Sequence, residues 1–451
     1  MMRALTLAEL ELPLAGRLLG ADQAFSSVST DTRSAKPGEL FVALRGERYD
    51  GHDFLEGLEV EGISAALVSR RADVEMSQLL VEDSQCALGK LGAYNRDLYR
   101  GPLVAITGSS GKTTVKNMVH AILSQTGDTL ATEGNFNNEI GVPLTLLRLQ
   151  PAVDYAVVEM GAAKAGDIKW LCSLARPTIA LLLNAMPAHL EGFGSVDDVA
   201  TAKGEIFDAL GQEEIAVINA DQPWARQWRK RAGDARVIDF GVEQPAAVSA
   251  RDICSRGLKG VSFTATTPAG DMAMRLALPG VHNVANALAA IAVGLACDAP
   301  LTTIRDGLES LCPVSGRLHV TTAASGAALV DDCYNANPGS VRAAIDMLAA
   351  CPGRRTLVLG AMKELGDRSA ELHEEIGAYA ARAGIEQLWG VGAELQATVT
   401  AFGQGGHFFD DRGAMIEQLQ GRFDADDTVL VKGSRSAGME IVLQALRAQG
   451  G

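Results

Sequence analysis

The sequence lacks an ordered set of cysteines. Seven cysteines, at positions 86, 172, 254, 297, 312, 333 and 351, are odd in number and widely scattered. They show neither the short spacing of a metal-binding motif nor the framework of a disulfide-stabilised secreted domain. A reducing compartment is therefore expected.

Long apolar runs and an excess of positive charge are also missing. The first nine residues reach an acid before any apolar run forms, and the longest low-charge stretch, 284–296, contains Asn286. We therefore expect a cytoplasmic protein with no membrane insertion. With 40 Lys and Arg against 55 Asp and Glu, the net charge of -15 opposes non-specific binding to nucleic acid, so no nucleic-acid partner is expected.

No internal repeat or low-complexity tract interrupts the chain. Its 451 residues, 47% hydrophobic and 21% charged, suit about three globular domains of roughly 150 residues each. We predict an α/β fold with boundaries at 1–99, 100–312 and 313–451. The first domain is expected to be small and mixed α/β, the second a doubly wound domain with an antiparallel extension, and the third a Rossmann-like α/β domain.

These boundaries follow from apolar runs that alternate with helical patterns. Strands are predicted at 40–44 and 65–68 in the first domain, with a helix near 88–98. The second domain is predicted to hold strands at 103–106, 155–158, 178–183 and 215–218, a hairpin over 261–278 and a helix over 283–297. Strands of the third domain are predicted at 328–330, 356–359, 388–391 and 428–431.

A glycine- and serine-rich loop with a lysine follows the strand at 103–106 and opens a helix. Its backbone amides and Lys112 are suited to a polyphosphate, and the Thr113 hydroxyl to Mg2+, so ATP is the expected ligand. The loop is shortened, because Ile106 stands where the usual pattern has glycine. The alternative is an ordinary turn with a solvated lysine.

Two further residues follow neighbouring strands of the same predicted sheet. Glu159 comes directly after the strand at 155–158, where phosphoryl-transfer sites place a metal-binding carboxylate. His189 lies just past the next strand, where open α/β sheets bind ligands. Glu159 could instead be a solvent-facing acid, and an isolated histidine is more often structural.

Motifs along the whole chain resemble the Mur ligase family. They are the loop 107–114, Glu159, His189, the segments 280–287 and 316–317, and the segment 331–338. Segments 31–33, 38–44 and 50–54 are similar to the uridine-nucleotide domain of that family. The segments 331–338 and 359–366, together with the lack of an Asp-Asn-Pro-Arg motif, are most similar to members that add a D-alanyl-D-alanine dipeptide. Ala361 departs from the family pattern, which has aspartate there.

The resemblance implies a reaction and its participants. ATP would phosphorylate the terminal carboxylate of UDP-MurNAc-tripeptide, and the amine of D-Ala-D-Ala would attack the acyl phosphate. Two Mg2+ ions are implied, held by Thr113, Glu159, His189 and a Lys203 that CO2 carbamylates. From the residues alone, Lys203 is an ordinary surface lysine of a helix.

The resemblance also assigns roles residue by residue. The catalytic set is Lys112, Lys203, His189 and Arg317. The nucleotide-binding set is Gly108, Ser109, Ser110, Gly111, Lys112, Thr113, Thr114, His282, Asn283, Asn286, Arg317, Asp332, Tyr334 and Asn335. The substrate-binding set is Thr30, Asp31, Arg33, Arg45, Gly46, Asp50, His52, Asn135, Asn137, Asn138, Asn337, Lys432 and Ser434.

Some of these residues have simpler interpretations. Asn283 is also expected to cap its helix, the loop around Asn135 could be a polar turn, and Lys432 could end a strand in a solvated turn. The alternatives for the whole chain are another Mur or folylpolyglutamate-type amide ligase, or a P-loop kinase or regulatory NTPase. The first domain and the third domain's Arg317 and Asp332 favour the dipeptide-adding ligase. A monomer is expected.

Overall fold

The computed structural model describes residues 2–447 and contains three α/β regions in chain order. The N-terminal region is built on a two-stranded and a five-stranded sheet, the central region on a nine-stranded sheet, and the C-terminal region on a six-stranded sheet. The three regions thus form the α/β architecture that the sequence predicts.

The N-terminal region is small and mixed. Its strands are β1 (Leu5–Thr6), β2 (Arg17–Leu19), β3 (Ala24–Phe25), β4 (Ser27–Ser29), β5 (Glu39–Val42), β6 (Ala65–Val68) and β7 (Ser77–Leu80), and its helices are α1 (Glu11–Leu14), α2 (Leu55–Val60) and α3 (Ser84–Arg96). The larger sheet has the order β2-β7-β6-β5-β4, parallel except for β2. The predicted strands at 40–44 and 65–68 correspond to β5 and β6.

The central region carries the phosphate loop. Its strands are β8 (Leu103–Thr107), β9 (Thr129–Ala131), β10 (Tyr155–Glu159), β11 (Ile179–Leu182), β12 (Ile215–Asn219), β13 (Arg236–Gly241), β14 (Val248–Ser255), β15 (Val261–Thr267) and β16 (Gly270–Leu276). Its helices are α4 (Lys112–Leu123), α5 (Gly141–Leu146), α6 (Asp167–Ala175), α7 (Leu190–Phe193), α8 (Val196–Lys203), α9 (Ala225–Arg231), α10 (His282–Ala296) and α11 (Leu301–Glu309).

The strand order of this sheet is β16-β15-β14-β13-β12-β11-β8-β10-β9. The strands from β8 to β14 run parallel, and β15 and β16 extend the sheet as the predicted antiparallel hairpin. Strand β8 is buried along its whole length because helices cover both faces: Leu103 and Ala105 pack into one core, and Val104 and Ile106 into the other. Buried central strands place their carboxyl ends at one edge, where the phosphate loop begins.

The C-terminal region is a second unit in which strands alternate with helices. Its strands are β17 (His319–Thr322), β18 (Ala328–Asp332), β19 (Arg354–Gly360), β20 (Gln387–Val391), β21 (Gly406–Phe409) and β22 (Asp427–Lys432), and its helices are α12 (Pro338–Ala349), α13 (Ser369–Arg382), α14 (Leu395–Phe402), α15 (Arg412–Leu419) and α16 (Glu440–Arg447). The order is β17-β18-β22-β19-β20-β21, and only β17 runs antiparallel. Within residues 2–447, no helix has the length and apolar character needed to cross a bilayer.

Helix α3 fastens the N-terminal region to the central one, because it packs against α5 and α6. The buried Asn95 side chain donates to the carbonyls of Leu146 and Leu149, at 2.8 and 3.0 Å. The Arg96 guanidinium donates to three carbonyls, those of Tyr99, Ala175 and Arg176. These bonds satisfy the carbonyls left free at two helix ends and join the two regions firmly.

We expect Asn95→Ala to lower the free energy of unfolding by about 1–3 kcal/mol, since it removes two buried hydrogen bonds and leaves the Leu146 carbonyl with only the Leu149 amide as donor. Urea unfolding followed by circular dichroism measures the change. The control Lys90→Ala alters an exposed residue of the same helix and should change stability by less than about 0.5 kcal/mol. Equal effects of the two substitutions would contradict the proposed role of Asn95.

Candidate active site

The phosphate loop is held in shape from both ends. Gly111 has a φ of 83°, and a Cβ there would lie 2.7 Å from Oδ1 of Asn286, so both the backbone and the space require glycine. Asn184 braces the loop, since its Oδ1 accepts from the Ser110 amide and its Nδ2 donates to the Ser110 carbonyl. The Lys112 ammonium donates to the Gly108 carbonyl at 2.8 Å, and burial lowers the pKa of Lys112. This is the shape required for backbone amides to surround a polyphosphate.

Glu159 lies at the centre of a hydrogen-bond network beside the loop. Its Oε2 accepts from the Thr113 hydroxyl and its Oε1 from Nδ2 of Asn137, both at 2.8 Å. The residue is only 1% exposed, so the interpretation as a solvent-facing acid is wrong. The reason is that β10 lies between β8 and β9, which places its last residue inside the sheet edge.

A cavity of about 1140 Å³ opens between the central and C-terminal regions. It brings together most of the residues assigned to the nucleotide and several assigned to substrate: Ser109, Ser110, Gly111, Lys112, Thr113, Thr114, Glu159, His189, His282, Asn283, Asn286, Arg317, Asp332, Tyr334, Asn335, Asn135, Asn137, Asn138, Asn337 and Lys432. Residues far apart in the chain therefore line one space.

The C-terminal region contributes cations to this cavity. Nη2 of Arg317 donates to the Thr113 hydroxyl at 2.8 Å, and its guanidinium lies 4.2 Å from the centre of the Tyr334 ring. Nζ of Lys432 is buried and bonds Oδ2 of Asp332 at 2.6 Å and the Asn335 carbonyl at 2.9 Å. The interpretation of Lys432 as part of a solvated turn is therefore wrong. Burial raises the pKa of Asp332, although Lys432 opposes that shift.

The expectation that Asn283 caps its helix is also wrong. Helix α10 begins at His282 after Val281, without a side-chain cap. The Asn283 amide instead donates to the Pro279 carbonyl at 2.7 Å, and its oxygen accepts from Nδ2 of Asn286 at 2.9 Å. Asn283 therefore holds Asn286 against the phosphate loop.

Lys203 is buried rather than solvated, so its interpretation as a surface lysine is wrong. It ends α8 with 1% exposure, and its Nζ lies 5.9 Å from the centre of the Phe193 ring. Burial, aided by the nearby charge of Lys112, lowers the pKa of Lys203 to about 7, against a weak opposing effect of Asp167. An amine in this state is partly neutral near pH 7, which is the form that reacts as a nucleophile.

His189 faces the cavity from the segment before α7 (Leu190–Phe193). Its Nδ1 lies 2.5 Å from Oε2 of Glu364, which belongs to the C-terminal region. Burial lowers the pKa of His189, and the charge of Glu364 opposes that effect.

The residues assigned to substrate in the N-terminal region lie outside the cavity. They are Thr30, Asp31, Arg33, Arg45, Gly46, Asp50 and His52. His52 is buried, with Nδ1 2.6 Å from Oδ1 of Asp50 and Nε2 accepting from the Ser69 amide at 2.9 Å. Asp50 and His52 thus tie a loop to the end of β6. Gly108, Lys203 and the buried Ser434 do not line the cavity either.

Several polar or aromatic residues of the cavity and loop were not assigned from the sequence, among them Lys116, Asp167, Trp170 and Asn184. Lys116 had a detectable signal, because it follows Lys112 by four residues and so shares its face of α4. Its buried Nζ donates to the Thr132 carbonyl at 2.7 Å. Asp167 and Trp170 lie on α6 and Asn184 follows β11, and only the fold brings these elements together.

Comparison with known proteins agrees with this geometry. Residues 106–294 match the model of the Mur ligase middle domain, 316–435 the Mur ligase glutamate ligase domain, and 24–94 the Mur ligase catalytic domain. A curated relative from Escherichia coli strain K12, UDP-N-acetylmuramoyl-tripeptide--D-alanyl-D-alanine ligase, is 47% identical over 100% of both chains. The chain belongs to the Mur ligase family.

Other relatives of this Mur ligase support the assignment. The Haemophilus influenzae ligase of the same name is 38% identical over 99% of both chains. A crystal structure of MurF from Acinetobacter baumannii superposes with a TM-score of 0.93 at 33% identity over 99% of each chain. MurF from Thermotoga maritima in complex with ADP has a TM-score of 0.84 at 29% identity and covers 94% of this chain and 97% of its own.

The residues of this Mur ligase fit a magnesium ion at one place. Within residues 2–447 no group of three or more His, Cys, Asp and Glu side chains is arranged to hold a metal. The Glu159 carboxylate and Thr113 hydroxyl are nevertheless hard oxygen donors already 2.8 Å apart. Mg2+ typically takes one or two protein oxygens and completes its shell with water and substrate phosphate, so this pair is sufficient.

We expect Lys203→Met to raise the thermal midpoint at pH 7 in buffer free of CO2. Because burial lowers the pKa of Lys203 in the folded state to about 7, from an ordinary value of 10.5, the folded protein binds fewer protons than the unfolded chain between those values. The cost of burying lysine is therefore largest at low pH and disappears as pH rises toward 10.5. Scanning calorimetry should show the advantage of the variant shrinking with pH, whereas the exposed Lys169→Met should show none.

Proposed function

We propose that this chain is an ATP-dependent ligase that adds D-alanyl-D-alanine to UDP-MurNAc-tripeptide and releases ADP and phosphate. The observation that carries the proposal is the full-length likeness, at 47% identity, to a ligase of that name. The cavity that joins the phosphate loop, Glu159 and Arg317 provides a place for the reaction. The folylpolyglutamate alternative has weaker support, because a synthase of that kind from Mycobacterium tuberculosis is 18% identical and so shares only the fold.

Each region takes one part of the reaction. Residues 1–99 form the domain that binds the uridine nucleotide, with Thr30, Asp31, Arg33, Arg45, Gly46, Asp50 and His52 as its assigned residues. Residues 100–312 bind ATP, and residues 313–451 bind the dipeptide and close on ATP. The contact of Arg317 with Thr113 supports the closing role.

The nucleotide is bound by the phosphate loop and by residues from both walls of the cavity. The loop amides and Lys112 take the outer phosphates, and Arg317 reaches the same phosphates from the opposite wall. Asn286 lies beside Gly111 and reads the adenine edge. Asp332 and Tyr334 complete the nucleotide site on the C-terminal side.

Two magnesium ions complete the site. Thr113 and Glu159 would hold the first, and His189 would hold the second together with Lys203 once that lysine carries a carbamate. When bound, Mg2+ neutralises the negative charge of the transferred phosphoryl group. The residues of the chain then have the task of positioning the reactants and keeping them dry.

The reaction proceeds in two balanced steps. A carboxylate oxygen of the tripeptide bonds the γ-phosphorus of ATP as the bond to ADP breaks, and the dipeptide amine then displaces phosphate from the acyl carbon and loses a proton. Lys112 and Arg317 neutralise charge on the transferred group. Closure of the C-terminal region excludes water that would otherwise hydrolyse the acyl phosphate.

A carbamate on Lys203 would convert a buried cation into an anionic oxygen ligand. The depressed pKa of Lys203 supports this, because CO2 reacts with the neutral amine. The Nζ atom lies 5.9 Å from the centre of the Phe193 ring, so the ring of Phe193 borders the space beside the amine.

We expect 13C NMR of the protein in 13C-labelled bicarbonate to show a carbamate carbon signal, because the buried amine is largely neutral at pH 8. The signal should be absent in Lys203→Met and retained in the control Lys169→Met. A wild-type spectrum without the signal would contradict the modification.

The proposed chemistry also indicates the compartment and the oligomeric state of the enzyme. The substrates are small molecules, and we place the protein in the cytoplasm, where ATP is available and the seven cysteines remain as free thiols. We propose that it acts as a monomer, since the cavity is formed within one chain.

Phosphate release tests the function directly. We expect release from ATP to require UDP-MurNAc-tripeptide, D-Ala-D-Ala and Mg2+ together, with a mass gain in the product that matches the pentapeptide. D-Ala alone is the matched control and should give no release. Release with a different amine would keep the ligase chemistry and overturn the acceptor, whereas no release with any muramyl substrate would favour a kinase or regulatory NTPase.

A further inference from the structure

Two strained residues meet where the central and C-terminal regions touch. His189 follows strand β11 with a φ of 54°, and Glu364 follows strand β19 with a φ of 62°. Neither is glycine, so each holds a left-handed backbone conformation that side chains seldom adopt. Strain of this kind persists only where the surroundings fix it, and it is concentrated at functional sites.

Their side chains are in direct contact. Nδ1 of His189 lies 2.5 Å from Oε2 of Glu364. The loop that carries Glu364 also rests on the start of α7, since a Cβ at Gly366 would lie 3.6 Å from the Glu191 amide nitrogen. The two residues are 175 positions apart in sequence. Their pair can therefore form only when the central and C-terminal regions are in contact.

The two residues face different spaces. His189 lines the large cavity, whereas Glu364 lines a smaller one formed mainly by residues 362–369 with Glu191 and Glu394. Glu364 is therefore not among the residues that line the large cavity. Lys363 is paired with Glu394 and Arg368 with Glu371, so neither cation of that loop is paired with the Glu364 carboxylate.

A carboxylate at Nδ1 determines the state of an imidazole ring. Nδ1–H donates to the carboxylate, which fixes the ring plane and leaves the Nε2 lone pair free to bind another group. In this chain the orienting carboxylate comes from the opposite region. The histidine is consequently oriented only when the C-terminal region has closed.

We propose that Glu364 is a positioning residue that orients His189 upon closure of the C-terminal region. The proposal rests on the proposed function, because it assigns the oriented Nε2 to the ligase site. The side chains are 35% and 57% exposed, so the ion pair contributes little to stability and leaves closure reversible. Its effect is on geometry.

Kinetics of Glu364 variants provide the first test. We expect Glu364→Ala to lower kcat about tenfold or more with little change in the KM for ATP, as loss of an outer orienting partner does at other histidine ligands. Glu364→Gln should retain more activity, because its amide oxygen accepts the same N–H. Glu371→Gln is the matched control, since Glu371 pairs with Arg368 within its own region and should leave kcat unchanged.

The ring itself provides a readout that does not depend on turnover. In protein labelled with 15N-histidine and bound to a non-hydrolysable ATP analogue with Mg2+, the signal lost in His189→Ala identifies this ring. We expect the Nδ1–H tautomer in the wild type and in Glu371→Gln, and its loss in Glu364→Ala. Thermal midpoints show whether the variants fold, and Glu364→Met, which also lacks an oxygen acceptor, replaces the alanine variant if that one unfolds.

Two results would overturn the proposal: an unchanged His189 tautomer in Glu364→Ala, or a Glu364→Ala effect of equal size when His189 is already alanine. The second result would mean that the two residues act independently. Failure of the proposed ligase function can be distinguished from failure of this proposal. In the first case the wild-type protein shows no turnover, while the tautomer measurement still reports on the contact between His189 and Glu364.

Discussion

The arrangement of the molecule depends on one polar junction at the phosphate loop. The Thr113 hydroxyl donates to Glu159 and accepts from Arg317, each at 2.8 Å. One hydroxyl thereby connects two neighbouring strands of the central sheet with a residue 204 positions further along the chain. Glu159 is buried whereas Thr113 and Arg317 are half-buried, so loss of the Thr113 hydroxyl would leave a buried carboxylate with Asn137 as its remaining side-chain donor.

Much of this junction was predictable from sequence because it follows from strand geometry. Strands β8 and β10 are parallel neighbours, so a loop after the first and an acid after the second must meet at one edge of the sheet. The predicted strands at 40–44, 65–68 and 103–106 were recognisable because their continuous apolar runs are typical of buried strands. Strand β14 was missed because polar residues such as Arg251 and Asp252 interrupt its pattern at a bulge.

Other features could not be predicted because they depend on contacts distant in sequence. The placement of Arg317 on the loop came only from family resemblance, and nothing in the local pattern links His189 to Glu364. The burial of Lys203 is likewise a property of the packing of α8, although its neighbours in sequence include Glu205 and other polar residues. Asp50 and His52, which the resemblance assigns to substrate, also form a hydrogen-bond network with Ser69 that no local pattern reveals.

The bonds from Asn95 and Arg96 have a consequence for substrate choice. They tie helix α3 to the central region, which favours a fixed separation between the N-terminal sheet and the phosphate loop. In the proposed reaction the uridine end of the substrate binds at one of these places and its carboxylate reacts at the other. A fixed separation would select substrates by length. A peptide stem long enough to span the distance between the uridine site and the phosphate loop would reach ATP, and a shorter one would not.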